Sequence, residues 1–267
     1  MTYVRPLLLL LLFGAVSWFE FAQPRTAHAL FIHALDSFDH RPAHKVLILG
    51  NSRTFYHEMP DMIRGMADSA GDPQRYDITT EAEPGASLET LWVDPKVRDL
   101  VREHWDDVIV QGESRAQSSD EQASSFQTYG ARLIEAARPT APAVRLVVNW
   151  NYDARLWDDG DPDGSGRNAY YTAVQSASQS LSERTGAKLA NIGQLWAQTQ
   201  RSFPKMTLTE DGNHPTLAGS YLFALLLYGD LSKRDVGQVS YVPSGLDVGV
   251  AASLRQEVRE YEEAKAD

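Results

Sequence analysis

The chain contains no cysteine. Disulfides, thiolate nucleophiles and cysteine–zinc sites are excluded at once. Positive charge is scarce: 25 lysines and arginines stand against 36 aspartates and glutamates, for a formal net charge of -11. Nucleic acid is a poor partner for such a surface, because phosphate binding needs basic side chains. Usable imidazole is scarce as well. Of seven histidines, His28, His33, His40 and His44 precede the first regular pattern, leaving His57, His104 and His214 as bases. No G-x-S-x-G occurs, so the nucleophile elbow of the α/β-hydrolases is missing.

What is present begins with an address. Arg5 precedes an apolar run from Leu7 to Phe19, which Glu20 ends, and Ala27-His28-Ala29 follows. This is the three-part layout of a secretory signal with a small-residue cleavage site. The run is shorter than the roughly 20 residues that cross a bilayer. Residues 1–29 are therefore read as a signal peptide, with an uncleaved anchor as the alternative. Either way the remainder is expected outside the cytoplasm, secreted or periplasmic, and touching a membrane only through an uncleaved leader. Residues 30–44, with Pro42, read as a linker.

After it, short apolar runs alternate with amphipathic stretches. Strands are expected at Val46–Leu49, Tyr76–Thr80, Asp107–Val110, Val144–Val148 and Lys188–Ile192. Helices are expected at Met59–Ala70, Leu88–Glu103, Glu121–Ala137, Asn168–Thr185 and Pro215–Leu231. Pro60 suits a first helical turn, where its missing N–H costs nothing. Such alternation implies a parallel sheet covered on both faces, with ligands beyond the carboxyl ends of its strands. The single domain expected is 45–235. Residues 236–267 read as an extension ending in a charged amphipathic helix, Val250–Ala266, packed on the surface.

Two segments carry chemistry. Val46-Leu47-Ile48-Leu49-Gly50-Asn51-Ser52 is an apolar strand ending in a small polar turn with a hydroxyl. Asp211-Gly212-Asn213-His214 sets a carboxylate three residues before an imidazole. Together they supply a nucleophile, a base and an orienter for attack on an acyl carbon. His57 has no carboxylate at an obvious spacing, and His104 reads as a surface or half-buried side chain.

Gly50-Asn51-Ser52 after the first strand, Gly85 after the second, a polar cluster after the third, and Asp211-Gly212-Asn213-His214-Pro215 before the last long helix resemble the four blocks of the SGNH/GDSL hydrolase superfamily. The resemblance runs from about Lys45 to Leu231. It implies a flavodoxin-like three-layer α/β/α sandwich with a five-stranded parallel sheet. It also implies Ser52 as nucleophile, His214 as base, Asp211 as its orienter, and the N–H groups of Ser52 and Gly85 as oxyanion donors. No cofactor or metal is implied.

Two departures stand out. The usual Gly-Asp-Ser is Gly-Asn-Ser here. The third block, usually Gly-x-Asn, reads Gln111-Gly112-Glu113-Ser114. That run is similar to one in carbohydrate O-acetylesterases, which points to the Gln111 amide as third donor. Ser114 is the rival, standing where a strict Gly-x-Asn alignment ends.

Trp92, Trp150 and Trp157 fall near the presumed active edge. Asn149 and Trp150 are the best placed to meet a sugar. Asp159, Asp161, Asp163 and Gly164 open like a calcium loop, but Tyr170 stands where that loop requires an acid, so a solvated acidic loop is expected.

The expected function is an extracytoplasmic serine esterase that removes small, acetyl-like groups from a glycan or small-molecule ester. The alternatives are an O-acyltransferase with the same triad and a catalytically silent glycan-binding accessory protein. The leader reading predicts cleavage after Ala29 in an exporting host, checked by intact mass. A mass retaining residues 1–29, in the membrane fraction, identifies the anchor instead.

Overall fold

A computed structural model of the chain describes residues 39–156 and 164–266. The leader, Trp157 and most of the calcium-like loop lie outside the described residues.

Five strands, β1 (Ala43–Gly50), β2 (Arg75–Ala82), β3 (Asp107–Gln111), β4 (Ala143–Val147) and β5 (Lys188–Ala190), pair in the order β2-β1-β3-β4-β5, all parallel. This is the flavodoxin-like order expected. β1 is central, and the chain leaves it first for β2 and then returns past it to β3. The crevice between the carboxyl ends of β1 and β3 is thus the point where strand order reverses, the usual place for a ligand.

β1 is apolar on both faces because both are covered. Val46 and Ile48 join one core with Ile63, Met66, Trp196 and Phe223. Leu47 and Leu49 point the other way, into a second core with Leu88, Val110, Phe126, Leu133 and Leu181. The period-two alternation of side chains makes one short run serve two layers.

The nine α-helices among the described residues are α1 (Ser52–Phe55), α2 (Met59–Ser69), α3 (Leu88–Val93), α4 (Pro95–Leu100), α5 (Asp120–Ala137), α6 (Ser165–Thr185), α7 (Ile192–Ser202), α8 (Leu217–Ser232) and α9 (Val248–Ala266). Pro60 sits in the first turn of α2, as expected. Three boundaries differ from the sequence reading. The single helix expected over Leu88–Glu103 is broken, because Asp94 before Pro95 adopts an extended conformation and then caps α4 through its side chain. α7 is new: Asn191 ends β5 and accepts a hydrogen bond from the Gln194 N–H, starting a helix where a strand was extrapolated. β1 begins at Ala43, so His44, expected as the last residue of the linker, belongs to the sheet.

His44 then has a structural use. Its Nε2 lies 2.8 Å from the Asp107 carboxylate, and Asp107 also pairs with Arg145. His44 and Asp107 stand at the starts of β1 and β3 and Arg145 in the middle of β4, so one buried polar cluster ties three neighbouring strands together toward the end of the sheet opposite the candidate site.

α8 is apolar around its whole circumference and buried on every side. It needs a cover on its outer side, and α9 provides one. Ala251, Leu254, Val258 and Tyr261 form a stripe on α9 and are all buried in the first core. The C-terminal helix, read from sequence as a surface element, therefore supplies core. Leu254→Ala is expected to cost about 2–5 kcal/mol of stability through the cavity it leaves. Chemical denaturation measures this, and a loss below about 0.5 kcal/mol would mean α9 is only loosely docked.

Candidate active site

The serine arrives first. β1 stops at Gly50, and Asn51 caps the one-turn helix α1 by accepting a hydrogen bond from the Arg53 N–H. Ser52 is the first residue of that turn. Strand, cap and helix start leave it at the carboxyl edge of the sheet.

The histidine comes from a tight loop. Thr209 and Pro215 bridge in antiparallel fashion, and the Glu210 N–H donates to the His214 carbonyl. Gly212 takes φ +89 at the tip, a conformation that disfavours a side chain. Inside the loop the Asp211 carboxylate accepts from the backbone N–H groups of Asn213 (2.9 Å) and His214 (2.7 Å). Its second oxygen lies 2.6 Å from His214 Nδ1. The other ring nitrogen, Nε2, lies 3.0 Å from Ser52 Oγ. Partial burial works to raise the Asp211 carboxyl. The hydrogen bonds from the His214 ring and the two N–H groups outweigh it and hold the group well below the usual carboxylate range. The Tyr56 ring stacks on the imidazole at 4.5 Å and 9°.

Sequence reasoning missed two supports of this loop. Arg53 is buried, and its guanidinium donates to Asn213 Oδ1 and to the Trp150 carbonyl. Burial draws its pKa down to about 10, against the pull of Tyr152, Tyr170 and Asp211. On the other flank, His57 Nε2 lies 2.8 Å from Glu210. His57 has no carboxylate at a short spacing, as read from sequence, but it has this one far along the chain, where spacing cannot reveal it.

The serine and histidine open into a cleft of about 800 Å³. Gly85, at φ +71, lines it with Asn51, Asn213 and Ser114. Among the described residues, no hydrogen bond engages the backbone N–H of Ser52 or of Gly85. Apart from His214, the ionisable side chains of the wall among the described residues include Glu89, Glu113, Glu121 and Arg115. Burial raises the Glu113 carboxyl, against the hydrogen bonds from its own N–H and that of Leu88, and Glu89 adds repulsion.

Three of the residues read from sequence as site groups do not line this cleft. Gln111 is 0% exposed; its amide donates to Asn149 Oδ1 at 2.7 Å, and its carbonyl accepts from the Asn51 N–H. It is a buried brace beneath the serine turn, so its reading as the third oxyanion donor is corrected. Asn149 is equally committed, donating to the Gly112 carbonyl at 2.8 Å. Trp150 is buried face to face against Trp196, with centroids 4.3 Å apart, and offers no platform to a sugar. Trp92 packs against the second core. The rival donor, Ser114, does line the cleft. Its hydroxyl accepts from Tyr152 OH at 2.7 Å, which leaves its own proton to donate, and its carbonyl accepts from Tyr170 OH.

No family model matches the chain, and no curated protein matches its sequence. Solved structures do. A DUF4886 family protein from Bacteroides uniformis superposes with TM-score 0.68 at 18% identity, covering 84% of this chain and 96% of that one. A Slackia heliotrinireducens protein proposed to be an SGNH hydrolase matches at 26% identity and TM-score 0.54, covering 70% and 97%. A catalytic mutant of Axe2, an acetylxylan esterase from Geobacillus stearothermophilus, matches at 11% identity and TM-score 0.59, covering 76% and 99%. The fold is that of the SGNH hydrolases.

Gln111→Ala is expected to act on stability, costing about 1–3 kcal/mol, because it strands the buried Asn149 carbonyl and the Asn51 N–H. Urea unfolding measures this. A variant as stable as the parent but with kcat about 10²-fold lower would return the amide to the oxyanion.

Proposed function

We propose that this SGNH-type carboxylic ester hydrolase removes small acyl groups, acetyl-like in size, from a neutral or cationic carbohydrate outside the cytoplasm. One observation carries the chemistry: the unbroken relay from Asp211 to His214 to Ser52, at 2.6 and 3.0 Å. Asp211 accepts the Nδ1 proton, which leaves Nε2 as the base. Nε2 takes the proton of Ser52 as Oγ attacks the ester carbonyl, then returns it to the leaving alcohol. Water repeats the cycle on the acyl-enzyme. The oxyanion is met by the Ser52 and Gly85 N–H groups and by the Ser114 hydroxyl, in place of a glutamine amide.

The cleft supports the substrate class. Most of the residues lining it carry polar side chains, Asn51, Ser87, Gln122, Ser125 and Asn213 among them, interspersed with apolar surface from Pro84, Tyr152 and Leu156, which suits a short acyl chain and a hydroxyl-rich alcohol. Among the described residues of the wall, three glutamates against one arginine disfavour a uronate or sialate carboxylate. The extracytoplasmic placement rests on the leader pattern alone. An acyltransferase remains the second reading, because the half-open cleft admits a sugar hydroxyl as readily as water.

The test is acetate release from a panel of acetylated glycans, neutral and anionic, beside p-nitrophenyl acetate. Ser52→Ala is expected to abolish release from every substrate while leaving the fold intact. Ser114→Ala is expected to lower kcat by about 10²–10³-fold with KM little changed, since an oxyanion donor acts on the transition state. Full turnover by Ser52→Ala, or labelling of another serine by a fluorophosphonate, would refute the assignment. Preference for anionic glycans would refute the substrate class.

A further inference from the structure

The residue after the proposed nucleophile is an arginine, and it is 1% exposed. No carboxylate pairs with it among the described residues. Its guanidinium lies 4.4 Å from the centre of the Trp150 ring and 5.2 Å from that of Tyr152. Nε and Nη2 donate to Asn213 Oδ1 at 3.0 and 2.8 Å, and Nη1 donates to the Trp150 carbonyl at 3.0 Å. Trp150 in turn donates its indole N–H to the Asn213 carbonyl at 3.1 Å. Both polar ends of Asn213 are therefore held from one side.

This arrangement is a costly way to fill space. Burying a cation without an anion in contact is unfavourable, and Asp211 acts on it only from beyond ion-pair distance. The compensation is three charge-assisted hydrogen bonds and two ring faces. Two of those bonds grip the loop that carries Asp211 and His214. Asn213 also donates its N–H to Asp211, so the grip passes directly to the carboxylate that orients the imidazole.

We propose that Arg53 is a positioning residue: through Asn213 it locks the Asp211–His214 loop in register with the serine turn from which Arg53 itself projects. One helical turn thereby presents the nucleophile and holds its base. The inference rests on the esterase reading for its kinetic part and on geometry alone for the rest.

The test compares Arg53→Met, Arg53→Lys, Asn213→Ala and the Arg53→Met/Asn213→Ala double variant in the full chain. Three readouts are taken: p-nitrophenyl acetate kinetics, thermal midpoint, and the low-field proton resonance of His214 Nδ1 in histidine-labelled protein. Arg53→Met is expected to lower Tm modestly, because the Trp150 carbonyl and Asn213 Oδ1 lose their donors, and to lower kcat about 10²-fold in protein that is still fully folded at the assay temperature, because the base is misplaced. KM should move less than about threefold. Arg53→Lys should recover part of kcat. The double variant should be no worse than the worse single one, as two members of one link require. The low-field resonance should broaden or vanish in Arg53→Met and Asn213→Ala. If Arg53→Met does not fold, Asn213→Ala carries the same comparison, since it deletes only the gripped side chain.

A folded Arg53→Met or Asn213→Ala with wild-type kcat and an unchanged resonance would overturn the inference. So would additive losses in the double variant, or a kcat loss that merely follows a fall in Tm. Wild-type protein inactive on every ester would sink the esterase reading instead, and the resonance would still decide the role of Arg53.

Discussion

Everything at the candidate site depends on one distance, the 3.0 Å between Ser52 Oγ and His214 Nε2. The two residues are 162 positions apart, so nothing local can set it. A proton passes between such groups only at hydrogen-bond reach, and a shift of about 1 Å is enough to cripple the transfer. The scaffold must therefore bring two chain segments to one point and keep them there. The sheet does the first. β1 is paired on both sides, so the turn at its end inherits the rigidity of a central strand. Side chains do the second: Arg53 and Trp150 hold one flank of the histidine loop, and the His57–Glu210 pair holds the other.

The packing explains how the loop can be so short. α8 follows Pro215 directly and is buried on every side, between the sheet and α9. An apolar helix fixed so firmly anchors the loop at its start. Toward the far end of the sheet, the His44–Asp107–Arg145 cluster locks the starts of β1 and β3 to the middle of β4. Such buried ion groups add little net stability, but they penalise strand slippage, because any other register would strand a charge. The carboxyl ends of the same strands are thereby held in register under the cleft.

The cleft itself shows how a sequence motif can mislead about role while marking the right place. Gln111-Gly112-Glu113-Ser114 does end β3 at the site. Within it, the large amide turns inward, to brace Asn149 and the Asn51 N–H, and the small hydroxyl faces the cleft. Ser114 lies past the end of β3, in the turn that follows it, so which of the two polar residues meets the cleft is set by how that turn leaves the strand. Asn149 and Trp150, just past the end of β4, are also turned inward, Asn149 by its bonds with Gln111 and the Gly112 carbonyl and Trp150 by its stacking on Trp196.

The sequence alone determined the sheet and the identity of the relay. Val46–Leu49 announces a doubly covered strand by its unbroken apolar run, and Asp211 three residues before His214 announces an oriented imidazole. Those are local signals, written within a few residues, and local backbone geometry obeys them. The helix break at Asp94-Pro95 and the helix start at Asn191 are equally local signals, masked by the longer apolar patterns that run across them. Only the tertiary structure decided what lies beside what: Arg53 beneath Asn213, His57 against Glu210, α9 as core, and Gln111 turned in while Ser114 faces out. Each of these is a contact between segments remote in sequence. Its partner is chosen by packing and by the need to satisfy buried polar groups, and neither leaves a spacing in the chain that a reader could find.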